Sequence, residues 1–189
     1  GNLLGDEQSG QIREIGYELY QKMLMETINS LKKNKTTQYV NWSPTITIGK
    51  PVLIPDHYVE DLSTRMSLYR KIGDLTSNDE IKSFLEELSE RFGPPPNEVS
   101  NLIYTISLKI ICLKLNINFI DIGPKALIIG FRKQGEKEIS IILEWVNKNS
   151  NFIKLRNDEK IIIILKGKSV NRFKLLKDYL KEINNLLKP

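Results

Sequence analysis

The sequence predicts an α+β fold, a small mixed or antiparallel sheet packed with several helices and preceded by a long N-terminal connector helix. Three observations predict it. Apolar residues recur at helical spacing in several windows, most cleanly at Ile81, Phe84, Leu85, Leu88 and Phe92. Two pairs of short β-branched runs flank turn residues, Gly123-Pro124-Lys125 in one and Asn157-Asp158 in the other. Glycine and proline punctuate the pattern, above all at Gly93-Pro94-Pro95-Pro96, where a helix must stop.

In chain order, Gly1 to Gly10 is too polar for a core and reads as a bend leading into a helix from about Gln11. From Ile12 to Leu31 two adjoining apolar stripes, one through Ile15 and Leu19 and one through Tyr20 and Leu24, demand burial against more than one neighbour or drive dimer formation. Lys32 to Thr37 has no period and reads as a linker, which divides the chain into residues 1–35 and 36–189. Thr45-Ile46-Thr47-Ile48 alternates as a strand does, and Val52-Leu53-Ile54 is either a second short strand or an extended arm. Leu62, Met66, Tyr69 and Ile72 mark one face of a helix capped by Asp61 or Ser63, and the next helix is capped within Ser77-Asn78-Asp79. Val99 to Leu115 is a core helix that buries Cys112, with Asn116 able to take the left-handed position after it. Phe119 to Ile122 and Ala126 to Phe131 form a hairpin, and Glu138 to Val146 a short helix. Phe152 to Leu155 then pairs with Lys160 to Leu165, whose unbroken isoleucines suggest a strand buried on both faces. The last helix, from about Val170 to Leu187, turns Phe173, Leu176, Leu180, Ile183 and Leu187 inward and Lys174, Lys177 and Lys181 outward.

A chain of 189 residues buries a proper core, and its 27% charged content is ordinary for a soluble globular protein. One cysteine cannot make an internal disulfide, and neither a signal sequence nor a long uncharged apolar run is present, so a cytoplasmic protein without a membrane span is expected. The single histidine, His57, has no companion with which to hold a metal or to work as an acid-base pair, so no catalytic or metal-binding residue is assigned. Gly167-Lys168-Ser169 sits between a strand and a helix as a phosphate loop would. The earlier glycine of that motif is replaced by Ile162, and Ser169 reads more simply as a helix cap. The formal charge of +5 makes an acidic partner or nucleic acid plausible, and Lys174, Lys177 and Lys181 form the candidate basic patch.

The opening stretch Gly1-Asn2-Leu3-Leu4-Gly5-Asp6-Glu7-Gln8-Ser9-Gly10 and the helix after it resemble the end of the translocation motif of bacterial transcription-repair coupling factors, related to that of RecG-type translocases. Leu53-Ile54-Pro55-Asp56-His57-Tyr58-Val59, the run from Arg65 through Tyr69 to Ile72, and Glu87, Glu90, Arg91-Phe92-Gly93 are similar to further elements of that family. The resemblance implies that Gly5, Gln8 and Gly10 belong to a loop coupling ATP-driven lobe closure to movement along duplex DNA. Because the chain enters the motif at its last glycine, the motor and its bound ATP and Mg are expected outside it, and the chain itself is expected to be no enzyme. The parent implied is an ATP-dependent DNA translocase that displaces stalled RNA polymerase and recruits UvrA for nucleotide excision repair. Within it, residues 36–189 would be a C-terminal regulatory domain whose Glu87, Glu90 and Arg91 hold the UvrB-like N-terminal module in an autoinhibited state. The alternative is a free-standing nucleic-acid-binding module that uses the lysine face of the last helix.

Overall fold

A computed structural model describes residues 42–167 and 170–189. The expected N-terminal helix, with Gly5, Gln8 and Gly10, and Lys168 and Ser169 lie outside the described residues. Within the described residues the fold is α+β, with five helices and a five-stranded mixed sheet. They form two compact units, residues 50–107 and residues 42–49 with 108–189.

The first unit is helical. Residues 50–61 form an arm without a strand, turning at 56–58 where the Tyr58 and Val59 amides donate to the Pro55 carbonyl, so Val52 to Ile54 belong to an arm and not to a second strand. Helix α1 (Leu62–Gly73) starts at Asp61, whose carboxylate accepts from the Thr64 amide and so caps the first turn. Leu68 and Ile72 are its buried positions, whereas Leu62 is 64% exposed. The expected Leu62 stripe is therefore wrong at its first member, because a residue at the first helical position projects past the packed face. Helix α2 (Asn78–Phe92) is capped by Ser77, buries Ile81, Phe84 and Leu88, and ends at Gly93, whose φ of 85° needs the freedom of glycine. Helix α3 (Asn97–Leu115) follows the prolines. Its first turns bury Val99, Leu102 and Ile103 within this unit, and its last turns belong to the second.

In the second unit the strands are β1 (Thr45–Thr47), β2 (Ile117–Ile122), β3 (Ala126–Phe131), β4 (Ile153–Leu155) and β5 (Ile161–Ile164). The sheet order is β1-β2-β3-β5-β4, with β1 parallel to β2 and every other pair antiparallel. A parallel neighbour needs a long crossover, and residues 50–115 supply it. Asn116 takes the left-handed conformation with φ 54°, turning α3 into β2 within one residue.

The register places Ile120 beside Ile129 and Leu127 beside Ile163, so one face is a layer of buried aliphatics. Helix α4 (Glu136–Lys148) packs on β4 and on helix α5 (Arg172–Leu187), and Leu176, Leu180 and Ile183 of α5 are buried. On the opposite face Asp121, Ile128, Ile162 and Lys154 align across four strands. This overturns the reading of the isoleucine run as buried on both sides. Ile161 and Ile163 are sealed, but Ile162 is half-buried and Ile164 is 39% exposed, so β5 alternates as a strand with one open face does. The cap of α5 is Asn171 rather than Ser169, for its side chain accepts from the Lys174 amide and the helix begins at Arg172.

Candidate functional site

Glu87, Glu90 and Arg91 are spaced i, i+3 and i+4 on α2, so they share one side of that helix, and all three are exposed. The opposite side of α2 is anchored by Phe84 and Leu88. Around the patch a set of hydrogen bonds holds the end of α2 in place. Tyr58 donates its hydroxyl proton to the Gly93 carbonyl at 2.7 Å, and its ring lies 5.9 Å from that of Phe92. Arg91 in turn rests its guanidinium over the Phe92 ring at 4.9 Å, a cation–π contact that keeps the charge facing outward while its stem is supported.

The two carboxylates differ in their surroundings. Lys71 of α1 donates to Glu87 at 2.6 Å, and both side chains stay about half exposed, 50% for the lysine and 55% for the glutamate. That hydrogen bond, and then the lysine's charge, hold the Glu87 carboxyl below the usual glutamate range, with Arg91 adding a smaller pull. Glu90 has no ion-pair partner among the described residues. Glu86, one turn earlier, is exposed as well, so an acidic strip runs toward the negative pole of α2, where the helix dipole disfavours it.

The motif residues upstream serve the framework. Tyr69 accepts the Ile54 amide proton at 2.7 Å, and burial pushes its phenol above the ordinary range while that hydrogen bond partly offsets the rise. Arg65 donates from one guanidinium nitrogen to the carbonyls of Val59 and Glu60, at 2.7 and 2.9 Å. The arm at 53–60 is thus tied to α1 by the arginine and the tyrosine of one helical turn. Sequence pattern showed these residues as packing positions and missed their polar work, which depends on where the arm lies. His57 is exposed, and no group of three or more His, Cys, Asp or Glu is placed to hold a metal among the described residues.

Of the lysines expected to form a patch on α5, Lys174 and Lys181 are exposed and Lys177 is half-buried. Desolvation, and then the charge of Lys181, lower the Lys177 ammonium below the ordinary lysine range. Cys112 is sealed in the core, and burial pushes its thiol up to about 12, which leaves no thiolate for chemistry near neutrality.

The two units carry opposite charge. Residues 50–107 hold 6 Lys and Arg against 10 Asp and Glu, net −4. Residues 42–49 and 108–189 hold 17 Lys and Arg against 8 Asp and Glu, net +9. The overall +5 therefore conceals an acidic helical unit, on which the Glu87 patch sits, and a strongly basic sheet unit.

A charged helix end braced by tyrosine and arginine contacts in one unit, and a mixed sheet in the other, define an α+β module. Residues 48–142 match the TRCF domain, and the chain belongs to that family. It is 42% identical over 166 residues to the transcription-repair-coupling factor of Rickettsia typhi (strain ATCC VR-144 / Wilmington), covering 88% of this chain and 15% of the relative. It is 32% identical over 181 residues to that of Haemophilus influenzae (strain ATCC 51907 / DSM 11121 / KW20 / Rd), covering 94% of this chain and 15% of the relative. The fold is similar to a crystal structure of the C-terminal domain of transcription-repair coupling factor, with a TM-score of 0.58 at 18% identity over 78% of this chain and 97% of that one. No helix among the described residues is long and apolar enough to cross a membrane.

Proposed function

We propose that this chain is the C-terminal regulatory module of a transcription-repair coupling factor, and that Glu87, Glu90 and Arg91 form the latch by which it holds the UvrB-like N-terminal module of the parent chain. The parent is read as a cytoplasmic, ATP-dependent DNA translocase that displaces stalled RNA polymerase and recruits UvrA, with ATP and Mg held by its motor lobes. One observation carries the reading of the latch: in a member of this family, the three residues stand exposed on a single side of α2, on the acidic unit, with Glu90 in no ion pair among the described residues.

A charged, exposed contact of this kind is weak when its partners are separate, since rim charges contribute little in high dielectric. Tethering changes that. Within one chain the effective concentration reaches roughly the millimolar range, so a modest contact suffices to keep the two modules together and the UvrA-docking surface covered. Engagement of the motor with stalled polymerase then has only a modest contact to break.

The test is calorimetric titration of the chain with a separately made UvrB-like module. Glu87→Lys with Glu90→Lys is expected to weaken binding and its salt dependence while leaving the thermal midpoint nearly unchanged, because both side chains are exposed. Unchanged affinity would remove the patch from the interface.

A further inference from the structure

The sheet unit concentrates its charge at one end. The β2–β3 turn, Gly123-Pro124-Lys125, and the described residues after β5, 165–167 and 170–174, together carry Lys125, Lys166, Arg172 and Lys174, and contain no Asp or Glu. The fold brings these segments together. The Leu165 amide donates to the Lys125 carbonyl at 2.9 Å, and the Arg172 guanidinium donates to the Gly123 carbonyl at 2.9 Å. Lys125, Lys166 and Lys174 are exposed, and none pairs with a carboxylate among the described residues. The other end of the sheet contrasts with this. There the β4–β5 turn supplies its own counter-charge, with Asp158 3.0 Å from Arg156 and 3.8 Å from Lys160.

We infer that this end of the sheet is a contact surface for the phosphate backbone of duplex DNA, formed by Lys125, Lys166 and Lys174 around the Arg172 tie. This surface lies on the other unit from the acidic latch and does not depend on it. Three features favour a nucleic acid over an acidic protein. Within these segments no acid stands between the cations, and Asp178, a turn beyond Lys174 on α5, is the first carboxylate after them, whereas protein interfaces fix their register by alternating signs. Among the described residues of these segments and the strand ends beside them, only Ile164, at 39%, is a large exposed apolar side chain, and a stable protein contact needs a packed apolar or aromatic centre. The surface also sits on a unit of net +9, and a duplex, with one negative charge per ~1.7 Å of axis, is the partner on which such a field acts most strongly. The surface positions the chain on DNA and reads no sequence, since lysines on turns meet phosphates and not base edges.

Fluorescence anisotropy of the full 189-residue chain with a labelled 20-base-pair duplex tests the inference. Four phosphate contacts, one from each of the three lysines and one from a further guanidinium nitrogen of Arg172, give a logarithmic salt slope of about −3.6 and a loss of affinity of roughly 100-fold between 50 and 200 mM salt. Lys125→Gln, Lys166→Gln and Lys174→Gln together are expected to lower that slope by about 3 and to weaken binding at least tenfold at low salt. The control triple Lys114→Gln, Lys133→Gln and Lys137→Gln removes the same charge from exposed positions of the same unit and is expected to cost less than threefold. No binding at 50 mM salt overturns the inference, as does an equal loss in both triples, which would mean diffuse attraction only. Polyglutamate that competes as well as duplex at matched charge overturns it too, by assigning the surface to an acidic peptide. Glu87→Lys with Glu90→Lys leaves or strengthens DNA binding, so failure of the latch and failure of this surface are read separately.

Discussion

Removing the Tyr69 hydroxyl isolates the bond that ties the arm to α1. Tyr69→Phe keeps the ring and removes the oxygen that accepts the Ile54 amide proton at 2.7 Å. Ile54 is 2% exposed, so its N–H has no route to bulk water once the oxygen is gone. A buried donor left unpaired costs about 1–3 kcal/mol, more than the net worth of an ordinary hydrogen bond, because the folded state bears the full desolvation of the amide. For a chain of this length that is a fall in thermal midpoint of about 2–4 °C per kcal/mol. Amide exchange gives a sharper readout. Protection at Ile54 is expected to drop by about 5- to 150-fold, the same free energy expressed as an opening equilibrium. The Leu127 amide, in the sheet unit, serves as internal reference and is expected to change far less. Equal protection at Ile54 in both proteins would refute the reasoning, since it would mean that the hydroxyl does not satisfy this donor.

Two further predictions concern the sheet unit. A Cβ at Gly130 would stand 2.9 Å from the Phe119 Cβ and 3.3 Å from the Lys160 Cγ, so Gly130→Ala is expected to cost about 1–3 kcal/mol by overpacking. It should also loosen the Lys160 ammonium from its place 4.1 Å from the Phe119 ring centroid. Both tryptophans, Trp42 and Trp145, lie in this unit, so their fluorescence in urea reports on it, and an unchanged midpoint refutes the steric argument. Cys112 sets an alkaline limit. Its folded thiol is pushed up to about 12 from an ordinary value of 9.0, so above pH 9 the unfolded chain loses a proton that the folded chain keeps. Stability therefore falls as pH rises from about 9, by up to about 4 kcal/mol near pH 12. Cys112→Ala is expected to flatten that part of the pH profile in urea titrations; an identical slope refutes it.

Local order was legible in the sequence, and non-local pairing was not. The ends of α1 and α2 follow from Asp61, Ser77 and Gly93, because caps act within three or four residues of themselves. Strand β3 runs from Ala126 to Phe131 as the alternation and turns imply. The partner of β1 lies more than 70 residues away, at Phe119 to Asp121, and period-two alternation does not say which strand a strand will join. The isoleucines of β5 misled for a related reason. Composition cannot show that a sheet keeps one face open, and only the register that sets Ile162 beside Ile128 and Lys154 reveals it. In the candidate site, exposure of Glu87, Glu90 and Arg91 followed from the helical period, but the Lys71 partner depends on how α1 and α2 pack. The segregation of charge was present in the sequence throughout, yet it becomes visible only when the residues are sorted by unit.

That Lys71 partner divides the proposed latch unevenly. A cation on the docking module that approaches Glu87 meets a carboxylate already engaged at 2.6 Å and must share it, whereas at Glu90 it meets one with no ion-pair partner among the described residues. Glu86 lies a turn behind Glu90 and adds to the field there. Charge reversal at Glu90 alone should therefore weaken binding to the UvrB-like module more than reversal at Glu87 alone. Lys71→Ala, which releases Glu87, should strengthen binding by roughly two- to fivefold, the range of exposed ion pairs. Raising salt from 50 to 500 mM should erase the difference between the two reversals, because the Debye length then falls to only a few ångströms. Calorimetry of the three variants decides it. Weaker binding by Lys71→Ala would sink the argument, because the lysine would then belong to the contact and the latch would have to be redrawn across both α1 and α2.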